Sequence, residues 1–244
     1  MKKKIGLLLV LSFLAGSFLY GQNSNGSNAS SENSTAKDSK ENPFKQPFFE
    51  VSDFFFGVSP SVFINTQDGS LSAPSPVFFP VYFGVIWPNN NFFSFQPSLR
   101  IWTGYYFIND GHVLPAEIEN RTALTFNFML NIPVVFKAEF WEKSNVKLSG
   151  GVAILIRFAT IAQGVDEGDF GYYGTAKDDV EKINSWFYEN ARFLYLSLGA
   201  DWMFQLTEKI QIGPEFSMYI PVGSVFSTWS LDGLIISLGV KLIY

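Results

Sequence analysis

From residue 48 onward the chain alternates. Eight segments, 54–65, 77–87, 92–108, 121–141, 146–158, 193–206, 210–222 and 234–244, carry apolar side chains at every second position. Successive side chains of a β-strand point to opposite faces, so each segment reads as an amphipathic strand. One face holds Phe54, Phe56, Val58, Val62 and Ile64 in the first segment and Leu124, Phe126, Phe128, Leu130 and Ile132 in the fourth, and no charge falls on it. All nine strand charges lie on the opposite face: Arg100, Arg121, Lys137, Glu139, Lys147, Arg157, Asp201, Glu215 and Lys241. A charge on a lipid-facing surface costs about 2–4 kcal/mol near the bilayer midplane, which gives this segregation a physical cause. Each segment is also long enough to cross an apolar band about 25 Å tall as a tilted strand.

The connections alternate in length. Residues 66–76, 109–120, 159–192 and 223–233 are long, whereas 88–91, 142–145 and 207–209 are tight turns. Long loops at one end and short turns at the other match membrane barrels, whose turns face the periplasm. The fold expected is therefore all-β, an eight-stranded antiparallel up-and-down transmembrane β-barrel spanning 48–244, with both termini periplasmic. A soluble sandwich would expose its polar face to water, where roughly 25–35% charged residues is normal. Here that face is sparsely charged and carries large aromatics such as Phe55, Phe63, Phe78, Tyr82, Trp102, Tyr106, Tyr195 and Tyr219, which suit a crowded lumen. Phe54, Phe56, Trp87, Phe93, Phe140, Trp202, Phe204 and Tyr244 fall near the periplasmic strand ends, where aromatic girdles form. Six prolines (Pro60, Pro80, Pro97, Pro133, Pro214 and Pro221) lie inside the strands, and each removes a ladder donor, so pairing is expected to be irregular at some of them.

The N-terminus reads as an export signal. Lys2, Lys3 and Lys4 precede an apolar run, and small residues offer cleavage sites, so 1–21 is taken as a signal peptide cleaved before Gln22. Residues 22–47 are Asn/Ser-rich and nearly free of apolar side chains, which reads as a disordered linker.

The last stretch, LDGLIISLGVKLIY, ends on an aromatic with apolar residues at alternate positions before it: Val240, Leu242 and Tyr244. It resembles the assembly signal of bacterial outer-membrane proteins, which implies recognition by the barrel-assembly machinery. NIPVVFKAEF (131–140) and LGADWMFQLTEKIQIGPEFSMYI (198–220) resemble the strand–turn–strand pattern of small barrels of the OmpW/OmpX type. That resemblance implies an outer-membrane location and a role in passage of small hydrophobic molecules, surface adhesion or stress resistance.

Catalytic constellations do not emerge. The sequence has no cysteine, no P-loop, no HExxH and one histidine, His112, beside Asp110 in a long loop. We therefore expect a non-enzymatic protein without cofactor or metal. A net charge of -5 and the absence of a basic cluster past the N-terminus exclude a nucleic-acid binder. Outer-membrane lipids are the expected surroundings of a monomer. Two groups of residues are candidate sites. Arg100, Lys137, Glu139, Lys147, Arg157, Asp201, Glu215 and Lys241 face one another across a narrow lumen, either as a filling ion-pair network or as a constriction. In loop 159–192, Asp166, Glu167, Asp169, Trp186 and Tyr188 form a candidate interaction surface, and 176–192 has helical composition. The leading functional reading is limited passage of small solutes or support of outer-membrane integrity. The alternative is a surface adhesin or partner-binding protein acting through loop 159–192.

Overall fold

The computed structural model describes residues 51–65, 76–89, 93–118, 121–141 and 144–244. The predicted signal peptide and linker lie outside them, as does nearly all of the first long connection. Twelve strand pieces build eight crossings. β1 (Asp53–Val58) and β2 (Ser61–Ile64) form the first, β3 (Val77–Phe78) and β4 (Val81–Asn89) the second, and β5 (Phe93–Phe95) and β6 (Ser98–Asn109) the third. β7 (His112–Pro115) folds back on the end of β6. β8 (Ala123–Trp141), β9 (Ser144–Ile161), β10 (Leu194–Gln205), β11 (Gln211–Pro221) and β12 (Leu234–Ile243) complete the wall. Every neighbouring pair is antiparallel, and β1 pairs with both β12 and β4, which closes the ring. Closure removes the free edges that an open sheet would expose. Two helices, α1 (Ala176–Tyr188) and α2 (Val222–Thr228), sit in the long connections.

The prolines act as predicted, with one refinement. Three crossings break at them: Pro60 separates β1 from β2, Pro80 separates β3 from β4, and Pro97 separates β5 from β6. None of these breaks shifts the register. Phe55 lies opposite Ile243 before the first break and Ile64 lies opposite Leu234 after it, on one continuous ladder. The proline carbonyls still accept, from Ser59 N to Pro80 O at 3.0 Å and from Leu238 N to Pro60 O at 3.0 Å. Pro133 lies within β8, and its missing donor falls opposite the β5–β6 break, where its carbonyl takes the Gln96 amide at 3.2 Å. The ladder also carries two irregularities away from these prolines, between Trp87 and Asn89 and between Glu139 and Trp141.

One predicted loop is partly strand. Residues 109–120 contain a two-residue turn, Asp110 (φ 46°) and Gly111 (φ 76°), that folds β6 back into β7. Asp-Gly tolerates two successive left-handed conformations, which is what a tight hairpin twist requires. β9 also runs to Ile161, so the third long connection starts later than alternation alone suggests.

The faces follow the predicted phase. Phe54, Phe56, Phe83, Phe136, Leu148, Phe158 and Leu238 are exposed on the outside of the ring. Arg100, Asn127, Lys147, Arg157, Asp201, Glu215 and Lys241 are buried inside it. An apolar exterior around a charged interior is the inverse of a soluble barrel and fits a lipid surround.

Candidate functional site: the filled lumen and its helical cover

At the turn end the lumen is locked by ions. Arg100 is 3% exposed and pairs with Glu215, whose carboxylate also accepts the Tyr82 hydroxyl and the Ser217 hydroxyl, the latter at 2.7 Å. The other guanidinium nitrogen of Arg100 donates to Ser59 Oγ at 2.6 Å, and its plane lies 4.3 Å from the Tyr82 ring centroid. Gly57 makes room for this arrangement, since a Cβ there would strike the Tyr82 hydroxyl. One level nearer the turns, Lys241 donates to Asp201 Oδ2 at 2.8 Å and Gln96 Oε1 at 3.0 Å. Four charges on four different strands therefore form two cross-barrel pairs, and buried ions need such partners. Lys137 and Lys147 are register partners on β8 and β9 and share a small cavity with Asp53, Ser94, Gln96 and Gln211. The backbone of Glu139 pairs with Asn145, while its side chain lies outside the described residues.

Above the ion pairs the lumen turns apolar. Trp102, Met129, Ala153, Leu155, Tyr195, Tyr219 and Ile235 form a buried layer, with Phe78 stacked on Trp102 at 5.0 Å. Two small cavities lie among the described residues, one beside Arg100, Asp201 and Glu215 and one beside Lys137 and Lys147, each about 30 Å³.

The loop end is closed by α1. Thr175 caps the helix, accepting from the Asp178 amide at 3.3 Å while the Asp178 carboxylate accepts the Thr175 amide at 2.9 Å, a reciprocal capping box. That backbone hydrogen bond, with the Thr175 hydroxyl, holds the Asp178 carboxyl below its ordinary range. Buried Asp179 takes the amides of Tyr172 and Tyr173, both at 2.9 Å, which fixes the turn leading into the helix. Ala176, Val180, Ile183 and Phe187 recur on one face, and the last three pack against Tyr106, Ile108, Val113, Ala123 and Ala159.

Two polar side chains of α1 replace a missing strand. β10 begins opposite Ile154, and the last backbone bond on that side runs from the Leu155 amide to the Phe193 carbonyl at 2.8 Å, so Arg157 and Ala159 of β9 face no strand there. Asn184 there accepts the Ala159 amide at 2.7 Å and donates to the Ala159 carbonyl at 3.0 Å. The Tyr188 hydroxyl does the same for Arg157, accepting from its amide at 3.1 Å and donating to its carbonyl at 2.8 Å. Unpaired strand groups are thus satisfied without another strand. Arg192 covers the outer side, its guanidinium 3.7 Å from the Trp186 ring centroid.

The five loop residues singled out in the sequence have different surroundings. Asp166, Glu167 and Asp169 are exposed on the turn ahead of α1, where Asp169 accepts the Asp166 amide at 2.9 Å. Trp186 is half-buried against the core that α1 makes with the wall, and Tyr188 is tied to β9 by its hydroxyl. Of the terminal residues, Val240 and Tyr244 are exposed outside the ring, and Tyr244 exchanges backbone hydrogen bonds with Phe54. His112 is exposed at the β6–β7 turn, with Nδ1 3.1 Å from the Asp110 carbonyl. Sequence reasoning passed over Tyr82, Gln96, Ser59 and Ser217 as partners of the charges. Their place on the polar face was the available signal. Asn184 carried none.

No family model matches the chain, and no curated protein does. Several solved structures are similar to it at low identity. Neisserial surface protein A is 9% identical, with a TM-score of 0.43, over 78% of this chain and 94% of that one. The outer membrane protein OprG from Pseudomonas aeruginosa is 8% identical, with a TM-score of 0.45, over 80% and 96%. Ail, the attachment invasion locus protein of Yersinia pestis, is 11% identical, with a TM-score of 0.39, over 79% and 97%, in a complex with the heparin analogue sucrose octasulfate. The fold assignment rests on this chain's own strands: a closed antiparallel ring, apolar outside and ionised within, makes it an eight-stranded transmembrane β-barrel of the outer-membrane kind.

Proposed function

We propose that the chain is a non-enzymatic protein of the outer membrane that supports membrane integrity and is closed to solutes at rest. The observation that carries this reading is the filled lumen. Cross-barrel ion pairs, an aromatic layer and a docked helix fill the lumen among the described residues, with two cavities of about 30 Å³ each between them. Steady passage would require parting Arg100 from Glu215 in a water-poor interior, which costs several kcal/mol. Delivery by the barrel-assembly machinery through Val240, Leu242 and Tyr244 belongs to the same proposal. In planar bilayers the refolded protein should be electrically silent, and cells lacking it should admit a large apolar dye faster. Stable unitary conductance of the wild-type barrel would overturn this reading.

A second reading has its own observation. Phe170 is 95% exposed and Trp229 85% exposed, and Tyr172 and Tyr173 are exposed near Asp166, Glu167 and Asp169 in the third connection. Solvated aromatics commonly mark contact surfaces. Capture of a surface partner that ends when 163–174 is replaced by a short Gly/Ser linker would favour partner binding.

A further inference from the structure

Arg157 differs from Arg100 and Lys241, the buried cations that are paired to carboxylates. It is 7% exposed, and no ion pair joins it to a carboxylate among the described residues. Its guanidinium instead lies among three rings, 4.8 Å from the centroid of Phe187, 5.4 Å from Tyr106 and 5.6 Å from Phe63. Its Nε and Nη2 are buried and have no hydrogen-bond acceptor among the described residues. Those two nitrogens form the side-on fork of the guanidinium, the edge that grips two oxygens of an oxyanion at once. Cation–π contact offsets part of the cost of burying the charge, but it leaves both N–H directions unused.

The neighbouring strand carries a complementary orphan. Asn127 is the register partner of Arg157. Its amide nitrogen is spent on Trp102 O and on Thr125, while its Oδ1 is buried without a donor. A carboxylate would serve Arg157 alone. A phosphate monoester or hydrogen phosphate serves both, presenting oxygens to the fork and a P–OH to the amide oxygen.

α1 lies directly above. Phe187 roofs the guanidinium, and the Tyr188 hydroxyl holds the backbone of the same residue. We infer that Arg157 and Asn127 form a binding site for a phosphate group that enters from the loop end as α1 lifts away. The rings around the fork would lie against whatever apolar chain the phosphate carries.

The test uses the full chain refolded in a neutral, phosphate-free maltoside detergent. Dodecyl phosphate and inorganic phosphate are titrated separately by calorimetry, and hydrogen exchange of 176–188 is followed in parallel. The site predicts saturable binding of at least one probe, with faster exchange across α1 on binding. Arg157→Gln should weaken that binding about tenfold or more, since a charge-assisted pair of hydrogen bonds is lost. Asn184→Ala leaves the site intact and loosens the cover, so it should tighten binding. Arg157→Lys keeps the charge without the fork and should fall between wild type and Arg157→Gln. Binding of dodecyl phosphate alone assigns an amphiphile headgroup as the ligand, and equal binding of inorganic phosphate assigns free phosphate. Absence of saturable binding to either probe overturns the inference. So does binding that Arg157→Gln leaves unchanged, or that Asn184→Ala weakens. If Arg157→Gln does not refold, the Asn184→Ala and Arg157→Lys results decide it.

Discussion

The two ends of the lumen are closed by different physics. At the turn end, Arg100 with Glu215 and Lys241 with Asp201 join strands that are already fixed in the wall. At the loop end, among the described residues, α1 covers the lumen, held by an apolar face and by two side chains bonded to the β9 backbone. Opening the first seal means parting buried ion pairs that are anchored on wall strands. The second can open by undocking thirteen residues while the wall stays intact. This contrast underlies the two proposals above, a barrel locked against through-flow and a displaceable cover over Arg157.

The sharpest way to break this contrast is to remove one ion partner. Glu215→Leu leaves Arg100 buried without its carboxylate, at a cost of about 3–5 kcal/mol. It should lower the urea midpoint at which the heat-modifiable band on unboiled gels is lost. Combining it with Arg100→Met should recover most of that loss, because the penalty lies in the uncompensated charge. A single mutant as stable as wild type would mean that the turn end is not sealed by this pair.

The loop end should respond locally. Ile183→Ala removes a fully buried side chain between α1 and the wall, so undocking of the helix should become easier by about 2–4 kcal/mol. The change is expected as faster hydrogen exchange within 176–188, with the barrel's urea midpoint unmoved. Tyr188→Phe removes one hydroxyl that serves two backbone groups and should have a smaller effect, about 1–2 kcal/mol, by the same exchange measurement. If either change lowered the global midpoint as Glu215→Leu does, the two ends would be one cooperative unit.

The smallest expected effect depends on pH. Asp178 is fully exposed, and its bonds to the Thr175 amide and hydroxyl depress its pKa in the folded helix. Its contribution is therefore complete above the unfolded value of about 3.9 and is lost as pH falls through the lowered folded value. Acidification through that range should fray the start of α1 and raise amide exchange there. Asp178→Asn should remove that pH dependence, leaving the strands unaffected.

Much of the wall was legible beforehand because a period of two assigns every strand residue to a face. Arg100, Lys147, Arg157, Asp201, Glu215 and Lys241 all lie on the expected side. Alternation says nothing of height or of position around the ring, so it could not tell that Arg100 meets Glu215, 115 residues away, or that Arg157 meets none. The Asp110–Gly111 pair is a hairpin signal in the sequence that lies within a segment whose length alone suggests a loop. The helical composition of 176–192 was visible, and so was the spacing of Ala176, Val180, Ile183 and Phe187 that docks it. From sequence alone, Trp186 and Tyr188 look like partner-facing residues. Aromatic composition reports a tendency to make contacts, and only the short reach of β10 shows that Tyr188 spends its hydroxyl on the wall.

The most direct measurement of the contrast is native-state hydrogen exchange of the wild-type barrel in lipid, resolved by segment. We expect the amides of α1 to exchange through a local opening far faster than those of β10 and β11, at urea concentrations that leave the barrel folded. Protection of α1 equal to that of the β10–β11 ladder, lost only with global unfolding, would contradict a removable cover.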